Sequence, residues 1–205
     1  MKLVEQRVID FVAVTASKEP TPGGGAIAAL TAATGAALAE MVANLTFGKK
    51  GYEAVQSEME ALQAKAQAIR ERMLELSQAD ADVFNIFMNA LGLPKNTDEE
   101  KAIRTAAIQQ AYKDAAVVPF EIGELANQIF DLAELASQKG NQNLITDGII
   151  AAINARAAVK AAFLNVRINL SGIKDENFVS DVSAKMQAIE KDLDAKEAAI
   201  IGLYK

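Results

Sequence analysis

The chain has 205 residues, of which 51% are hydrophobic, so it can bury a sizeable core. Its net charge of −6 disfavours nucleic acid as a partner, and the absence of cysteine excludes disulfides and thiolate metal sites. It also has no histidine, so acid–base chemistry is left to Asp, Glu, Lys and Tyr, and we expect no metal site. The N-terminal MKLVEQRVIDF carries charges within its apolar pattern, which predicts a cytoplasmic protein without a signal peptide.

Helical spacing of the apolar residues predicts one all-α domain over residues 1–205, a bundle of about six helices with long central helices. The second helix is apolar on nearly all sides and rich in Ala, so we expect it at the centre of the bundle or at a subunit interface. It contains Glu40 and Asn44, and we do not expect it to span a membrane. The predicted helices cover residues 3–17, 25–47, 51–91, 98–138, 144–170 and 175–205.

The loop PTPGGG, residues 20–25, leads into this second helix. Gly23, Gly24 and Gly25 leave main-chain N–H groups open, and the first N–H groups of a helix carry the positive end of its dipole without a partner inside the helix. These features predict a site for an anion or a polarised oxygen. A nucleotide-binding loop does not fit, because no Gly-Lys-Ser/Thr follows and no strand precedes. The alternative is a flexible start of the helix without a ligand.

Two aspartates are candidates for chemistry. Asp80 lies in the apolar stripe of the third helix together with Phe84 and Phe87. A buried carboxylate is costly unless it is paired, and its pKa can shift to a useful range. The alternative is a structural acid that caps a neighbouring helix or pairs with a lysine. Asp147 falls in the first turn of the fifth helix, where the helix dipole favours its ionised form, and the simpler alternative for it is a good helix start.

Polar side chains at two further places are also candidates. Asn165 and Asn169 follow Asn154 along one face of the fifth helix, which predicts either a polar crevice or hydrogen bonds across helices. Lys49 and Lys50 follow the second helix, where cations suit the helix C-terminus and could also hold an anionic substrate tail.

Six segments occur in the order found in a known family: PTPGGGAIAAL, MVANLTFGKKGY, ADADVFNIFMNALGLPKN, VVPFEIGELA, GNQNLITDG and FLNVRINL. They extend over almost the whole chain, which resembles the cyclodeaminase/cyclohydrolase family. This family includes the C-terminal domain of formiminotransferase-cyclodeaminase and the stand-alone bacterial methenyltetrahydrofolate cyclohydrolases. The resemblance implies an all-helical homodimer with a folate site in a cleft associated with the dimer. It implies no metal or redox cofactor, with a tetrahydrofolate derivative as the substrate.

The resemblance also carries over the site residues. Our hypothesis is that Asp147 or Asp80 transfers protons, that the glycine amides bind the pterin oxygen or a carboxylate, and that the two lysines hold the glutamate tail. Such a site predicts that both aspartates and the lysines converge on one cleft. The residues in the matching motifs are Pro22, Gly23, Gly24, Gly25, Asn44, Lys49, Lys50, Tyr52, Asp80, Asn141, Asp147, Asn165 and Asn169.

The sequence thus predicts a methenyltetrahydrofolate cyclohydrolase, which hydrolyses 5,10-methenyltetrahydrofolate to 10-formyltetrahydrofolate by acid–base catalysis. We favour this activity because the chain has no room for a formiminotransferase domain. The first alternative is a formimidoyltetrahydrofolate cyclodeaminase, which releases ammonia to form 5,10-methenyltetrahydrofolate. The second alternative is a non-catalytic helical interaction protein in which the glycine loop is a hinge.

Overall fold

A computed structural model gives the structure of residues 2–204. These residues form seven α-helices, joined by turns and three short 3₁₀ helices, and contain no strand. The predicted all-α fold with long central helices is therefore confirmed. The last predicted helix is divided in two by a turn at Lys191 and Asp192. The α-helices are α1 Val8–Thr15, α2 Gly24–Asn44, α3 Gln56–Leu91, α4 Asp98–Lys139, α5 Ile145–Leu170, α6 Glu176–Glu190 and α7 Leu193–Ile201.

The four longest helices, α2 to α5, pack as an antiparallel bundle. Gly35, near the middle of α2, lies against Ala151 in the first half of α5. Gly24, at the start of α2, lies against Asn165 near the end of α5. Short connections make consecutive helices antiparallel neighbours, so the start of one helix lies close to the end of the next. Both ends of the bundle are thus formed by helix termini and loops.

The second predicted helix, α2, is buried at the centre of the bundle as its composition predicted. Ala29, Ala36 and Ala39 are 0% exposed. Small side chains allow the neighbouring backbone to approach closely, and a Cβ on Gly35 would lie only 3.1 Å from the carbonyl oxygen of Ala151. This close packing fixes α2 against α5, and the two helices then determine where the groups at their ends lie.

Ion pairs attach the last two helices to α5. Arg156 Nε and Lys160 Nζ lie 2.6 and 2.8 Å from Asp194 Oδ1 of α7, and Arg167 Nη2 lies 2.5 Å from Glu190 Oε2 of α6. Ion pairs of this partly exposed kind contribute little to stability. They do, however, pair the basic side chains of α5 with acidic side chains of the same chain.

One apolar surface runs along the exposed sides of α2 and α5. Thr34 and Asn154 join the two helices along this surface through a hydrogen bond of 3.3 Å. Both helices are long and apolar enough to span a membrane, but about half of each lies inside the bundle, which accounts for much of their composition. We call the exposed remainder the α2/α5 face. Its large apolar residues, between 36% and 67% exposed, are Ile27, Leu45, Ile150, Ile153, Leu164 and Ile168.

Candidate functional site

The residues predicted for the site lie at opposite ends of α2. Gly23, Gly24 and Gly25 form its start, which we call the glycine end, and the two lysines follow its other end, which we call the lysine end. The 21 residues of α2, at about 1.5 Å each, place the two ends about 31 Å apart. The expectation that both aspartates and the lysines converge on one cleft is therefore wrong within a single chain.

At the glycine end, the helices and the loop before α2 surround a cavity of about 460 Å³. This volume is in the range of small-molecule sites. The loop forms one wall, and α3, α4 and α5 form the others. Pro22 is buried and does not belong to the lining. The predicted residues that line the cavity are Gly23, Gly24, Gly25, Asp80, Asn165 and Asn169.

Asp80 connects α3 to the first turn of α2. Its Oδ2 accepts a hydrogen bond of 3.0 Å from the N–H of Ala26, one of the N–H groups that a helix leaves without an internal partner. The carboxylate also fills the space beside Gly25, where a Cβ would overlap it. The predicted alternative of a structural acid that caps a neighbouring helix therefore matches the structure. The same carboxylate also lines the cavity, so it is accessible to a ligand bound there.

The surroundings of Asp80 change its acidity. Burial raises the pKa of this carboxyl above its ordinary value, and the hydrogen bond from Ala26 lowers the pKa in part. No lysine or arginine within residues 2–204 contributes to this balance. Asp82, two residues further on, is exposed and makes a side-chain hydrogen bond to Gln78. The two neighbouring acids thus have different environments, and a desolvated acid without a cation is a frequent feature of functional sites.

Asn165 and Asn169 of α5 form the polar side of the cavity. Asn169 Nδ2 donates to the carbonyl oxygens of Ala115, at 2.7 Å, and Asn165, at 2.9 Å. Asn165 Nδ2 donates to the carbonyl oxygen of Ala161 at 2.9 Å. Both predicted alternatives are therefore present, because these amides bond to neighbouring backbone and also line a crevice. Asn154, from the same file of residues, lies instead at the boundary between α2 and α5.

Three aromatic residues that line the cavity were not predicted as site residues. Phe84 and Phe87 come from α3 and Tyr112 comes from α4, and the ring centroids of Phe87 and Tyr112 are 4.7 Å apart. The backbone of Gly172 packs against the Tyr112 ring, where a Cβ would not fit. The stripe that contains Asp80 includes both phenylalanines, so the sequence carried a signal for them. Tyr112 carried none, because only folding brings α4 to this cavity.

At the lysine end, Lys49, Tyr52 and Asn141 form a bonded cluster. Lys49 Nζ donates to Asn141 Oδ1 at 2.6 Å and lies 5.7 Å from the centroid of the Tyr52 ring. The N–H of Asn141 donates to Thr46 Oγ1 at 2.9 Å, and the Tyr52 hydroxyl accepts from the N–H of Gln142 at 3.0 Å. This cluster gives the ammonium group a defined position beside the loop between α4 and α5.

A tight turn presents the two lysines. Gly48 and Gly51, with φ of 63° and 90°, adopt the left-handed conformation that favours glycine, and the lysines lie between them. Lys50 and Asn44 are exposed at this end. Asp147 lies half-buried in the first turn of α5, as predicted, and belongs to the same end because α2 and α5 are antiparallel. The lysine end thus brings the two lysines and the Asp147 carboxylate to the same end of the bundle.

Comparison with known proteins connects this architecture to folate enzymes. The family model described as formiminotransferase-cyclodeaminase matches residues 7–188. A methenyltetrahydrofolate cyclohydrolase of Methylorubrum extorquens is 41% identical over 179 residues, which are 87% of this chain and 86% of that protein. The formimidoyltransferase-cyclodeaminase of Rattus norvegicus is 32% identical over 97% of this chain, which spans 38% of the rat protein.

A solved structure supports the same relationship. The crystal structure of formiminotetrahydrofolate cyclodeaminase from Thermotoga maritima superposes with a TM-score of 0.87 at 31% sequence identity. The match covers 98% of this chain and 97% of that chain. The family that the sequence motifs predicted is therefore confirmed, and this chain belongs to the formiminotransferase-cyclodeaminase family.

Proposed function

We propose that this protein is a methenyltetrahydrofolate cyclohydrolase that hydrolyses 5,10-methenyltetrahydrofolate to 10-formyltetrahydrofolate. The observation that carries the proposal is a half-buried carboxylate, Asp80, in an aromatic-lined cavity of a chain that matches a named cyclohydrolase over 86% of that protein's length. The relatives named above are enzymes, which disfavours the non-catalytic interaction protein considered from the sequence.

The reaction needs proton transfer in both directions. Water adds to the cationic methenyl carbon and loses a proton, which gives a tetrahedral carbon that bridges N5 and N10. The new hydroxyl then loses its proton and becomes the formyl oxygen as the N5–carbon bond breaks. N5 takes up a proton, and the formyl group remains on N10. A positioned acid–base group contributes roughly 10² to 10⁴-fold to such a transfer. Since the chain has no histidine, we propose that one of two carboxylates, Asp147 or Asp80, does this work.

The proposal includes no metal or redox cofactor, because the sequence has neither the histidine nor the cysteine that most catalytic zinc sites use. The tetrahydrofolate derivative is the substrate and supplies the reacting carbon. We place the reaction in the cytoplasm, as expected from the N-terminal sequence.

We further propose that the protein is a homodimer in which two subunits share each folate site. The two ends of α2 lie about 31 Å apart, and one folate molecule is too short to contact both ends of the same chain. An antiparallel pair joined through the α2/α5 face would place the glycine end of one subunit beside the lysine end of the other. A two-fold axis allows this arrangement, because the same surface then packs against itself.

Two features of the α2/α5 face support this dimer. Its exposed Ile and Leu side chains form a patch of the kind that marks protein–protein contacts. Ile168 belongs both to this face and to the lining of the cavity, so the cavity opens beside the proposed interface. A second copy would therefore complete the wall of the cavity.

A second candidate activity is that of a formimidoyltetrahydrofolate cyclodeaminase. One observation favours it: this chain covers 97% of a Thermotoga maritima chain that is named a cyclodeaminase. A chain of this extent is therefore compatible with either activity. Both reactions pass through a tetrahedral carbon between N5 and N10, so the same carboxylate would serve either reaction.

The absorbance band of 5,10-methenyltetrahydrofolate distinguishes the candidates. We expect purified protein to remove this band faster than the spontaneous hydrolysis. If the band stays at the spontaneous rate but forms from 5-formiminotetrahydrofolate with release of ammonia, the protein is a cyclodeaminase. A folded protein that is silent in both assays would contradict the proposed function.

A further inference from the structure

We infer that the cavity at the glycine end is a pterin-recognition pocket in which the Asp80 carboxylate binds the 2-amino and N3–H groups of the pterin ring. This inference rests on the proposed function and makes it more specific. It assigns Asp80 to substrate recognition, which leaves Asp147 as the carboxylate for proton transfer. The first argument for this inference is that the Asp80 carboxylate accepts fewer hydrogen bonds than it could.

The Asp80 carboxylate has more acceptor sites than the described chain uses. An ionised carboxylate offers about four lone-pair sites, and within residues 2–204 only the N–H of Ala26 donates to Asp80. No cation of these residues pairs with it. Burial of such a group is unfavourable until donors reach it, and burial is the reason that its pKa is raised. A ligand with two adjacent N–H donors would satisfy both oxygens.

The start of α2 offers the opposite pattern beside this acceptor. The N–H groups of Gly24 and Gly25 have no acceptor within residues 2–204, and they lie in the first turn, where the helix dipole favours negative charge. The wall next to Asp80 thus presents two acceptor oxygens and two donors. One edge of a pterin presents the complement, with donors at the 2-amino group and N3 and an acceptor at the 4-carbonyl oxygen.

The remaining walls suit a flat ring. Phe84 and Phe87 of α3 and Tyr112 of α4 line the cavity, and Phe87 and Tyr112 lie within aromatic contact distance of each other. Aromatic side chains bind flat heterocycles by stacking and by edge-to-face contacts. The backbone of Gly172 packs directly against the Tyr112 ring, which forms part of this wall.

This orientation separates recognition from chemistry. N5 and the side chain that carries N10 belong to the second ring of the pterin, on the side away from the 2-amino group and N3. When the pyrimidine edge contacts Asp80, the reacting carbon points toward the opening of the cavity. The lysine end of a second copy would meet it there, and that end includes Asp147. Asp80 would then hold the ring without reaching the methenyl carbon.

The test compares two simple ring compounds, pterin and lumazine, by calorimetry. Lumazine carries a carbonyl oxygen where pterin carries the 2-amino group, so it would place an acceptor against the carboxylate. We expect the wild-type protein to bind pterin roughly 10 to 100-fold more tightly than lumazine, the range for loss of a buried charge-assisted hydrogen bond. This comparison needs no variant and therefore does not depend on the folding of one. Equal affinity for the two rings overturns the inference.

Two variants test whether Asp80 is the residue that causes the preference for pterin over lumazine. Asp80→Asn should lose most of the discrimination between pterin and lumazine, whereas Asp82→Asn, which changes an exposed acid on the same helix, should keep it. Asp80→Asn should also raise KM for methenyltetrahydrofolate and change the turnover rate by no more than about threefold, because the reacting carbon lies elsewhere. If the turnover rate instead falls by roughly two orders of magnitude while the pterin preference stays intact, Asp80 transfers protons and this assignment is rejected.

The ring-binding measurement also separates this inference from the proposed function. A protein that prefers pterin but has neither folate activity supports the recognition pocket and contradicts the cyclohydrolase proposal. A protein that hydrolyses methenyltetrahydrofolate without any preference for pterin over lumazine overturns the pocket alone.

Discussion

The carboxylate of Asp80 occupies the space that a side chain at Gly25 would need. Its Oδ2 also accepts the N–H of Ala26, so the first turn of α2 and the middle of α3 are fitted to each other at this point. The glycine loop is therefore not only a flexible start of a helix. It brings backbone N–H groups and a half-buried acid to one wall of the cavity, and its geometry depends on the absence of a Cβ at Gly25.

This fit predicts a steric penalty at Gly25. We expect Gly25→Ala to lower the free energy of unfolding by about 1–3 kcal/mol, the usual range for overpacking, because the new methyl group would displace the Asp80 carboxylate. Gly23→Ala is the matched control, since its Cβ would meet only the carbonyl oxygen of Pro20 at 3.6 Å. Urea unfolding followed by circular dichroism measures both variants. Equal stability of the two variants would refute the proposed fit.

The acidity of Asp80 predicts a dependence of stability on pH. Burial raises the pKa of this carboxyl in the folded protein, so its stabilising contribution is complete below the pKa of the unfolded chain and is lost as pH rises through the folded pKa. Asp80→Asn removes this loss. The variant should therefore gain stability relative to wild type as pH rises above about 4, the ordinary pKa of an aspartate.

Unfolding curves of wild type and Asp80→Asn across this pH range provide the check. Asp82→Asn serves as the control, because Asp82 is exposed and its replacement should give a difference that changes little with pH. A relative stability of Asp80→Asn that falls with increasing pH would mean that the folded protein stabilises the ionised carboxylate, which would contradict the raised pKa.

If the α2/α5 face forms the proposed dimer interface, a charged residue placed on this face should prevent dimer formation. Leu164 is 65% exposed on this face, and Leu164→Asp should convert the proposed dimer to a monomer of unchanged helicity that has lost activity, because the two ends of α2 would no longer meet across subunits. Ile103 is 58% exposed on α4, outside the face, so Ile103→Asp should remain a dimer and keep its activity. Light scattering after gel filtration measures the mass of each variant. A wild-type protein that is monomeric and active would disprove the shared site.

The cluster at the lysine end predicts recognition of the glutamate tail. We expect Lys49→Ala to raise KM roughly 10 to 100-fold by removing a charge-assisted contact. The same variant should have no effect on 5,10-methenyltetrahydropteroate, which lacks the glutamate. Lys101→Ala, which changes a surface lysine that pairs with Asp98, is the control and should behave as wild type with both substrates. An equal effect of Lys49→Ala on the two substrates would place the lysine elsewhere in the mechanism.

The sequence was sufficient to predict the long helices and the features that depend on a single helix. Apolar periodicity located the long helices and placed Asp80 on the apolar side of α3 and Asp82 on the polar side, as observed. The Ala-rich composition of α2 predicted its burial. These features follow from one segment at a time, because the helical repeat alone determines which side chains share a face.

Relationships between helices could not be predicted in the same way. Tyr112 joins the cavity only because α4 packs beside α3, and no spacing within α4 distinguishes it from other tyrosines. The separation of the glycine end from the lysine end is likewise a property of the antiparallel bundle. Motifs that are neighbours in the sequence, on either side of α2, become distant in space because a straight helix keeps them apart.

The most direct test of the shared site is the activity of a mixed dimer. One subunit carries Asp80→Asn and the other Asp147→Asn, and two different affinity tags allow purification of the mixed species after co-expression. One site of this dimer would contain both substitutions and the other would contain neither. With methenyltetrahydrofolate well below KM, where each variant alone is nearly inactive, we predict about half the wild-type rate of loss of the methenyl absorbance band. A rate no greater than the mean of the two single variants would contradict a folate site built from two subunits.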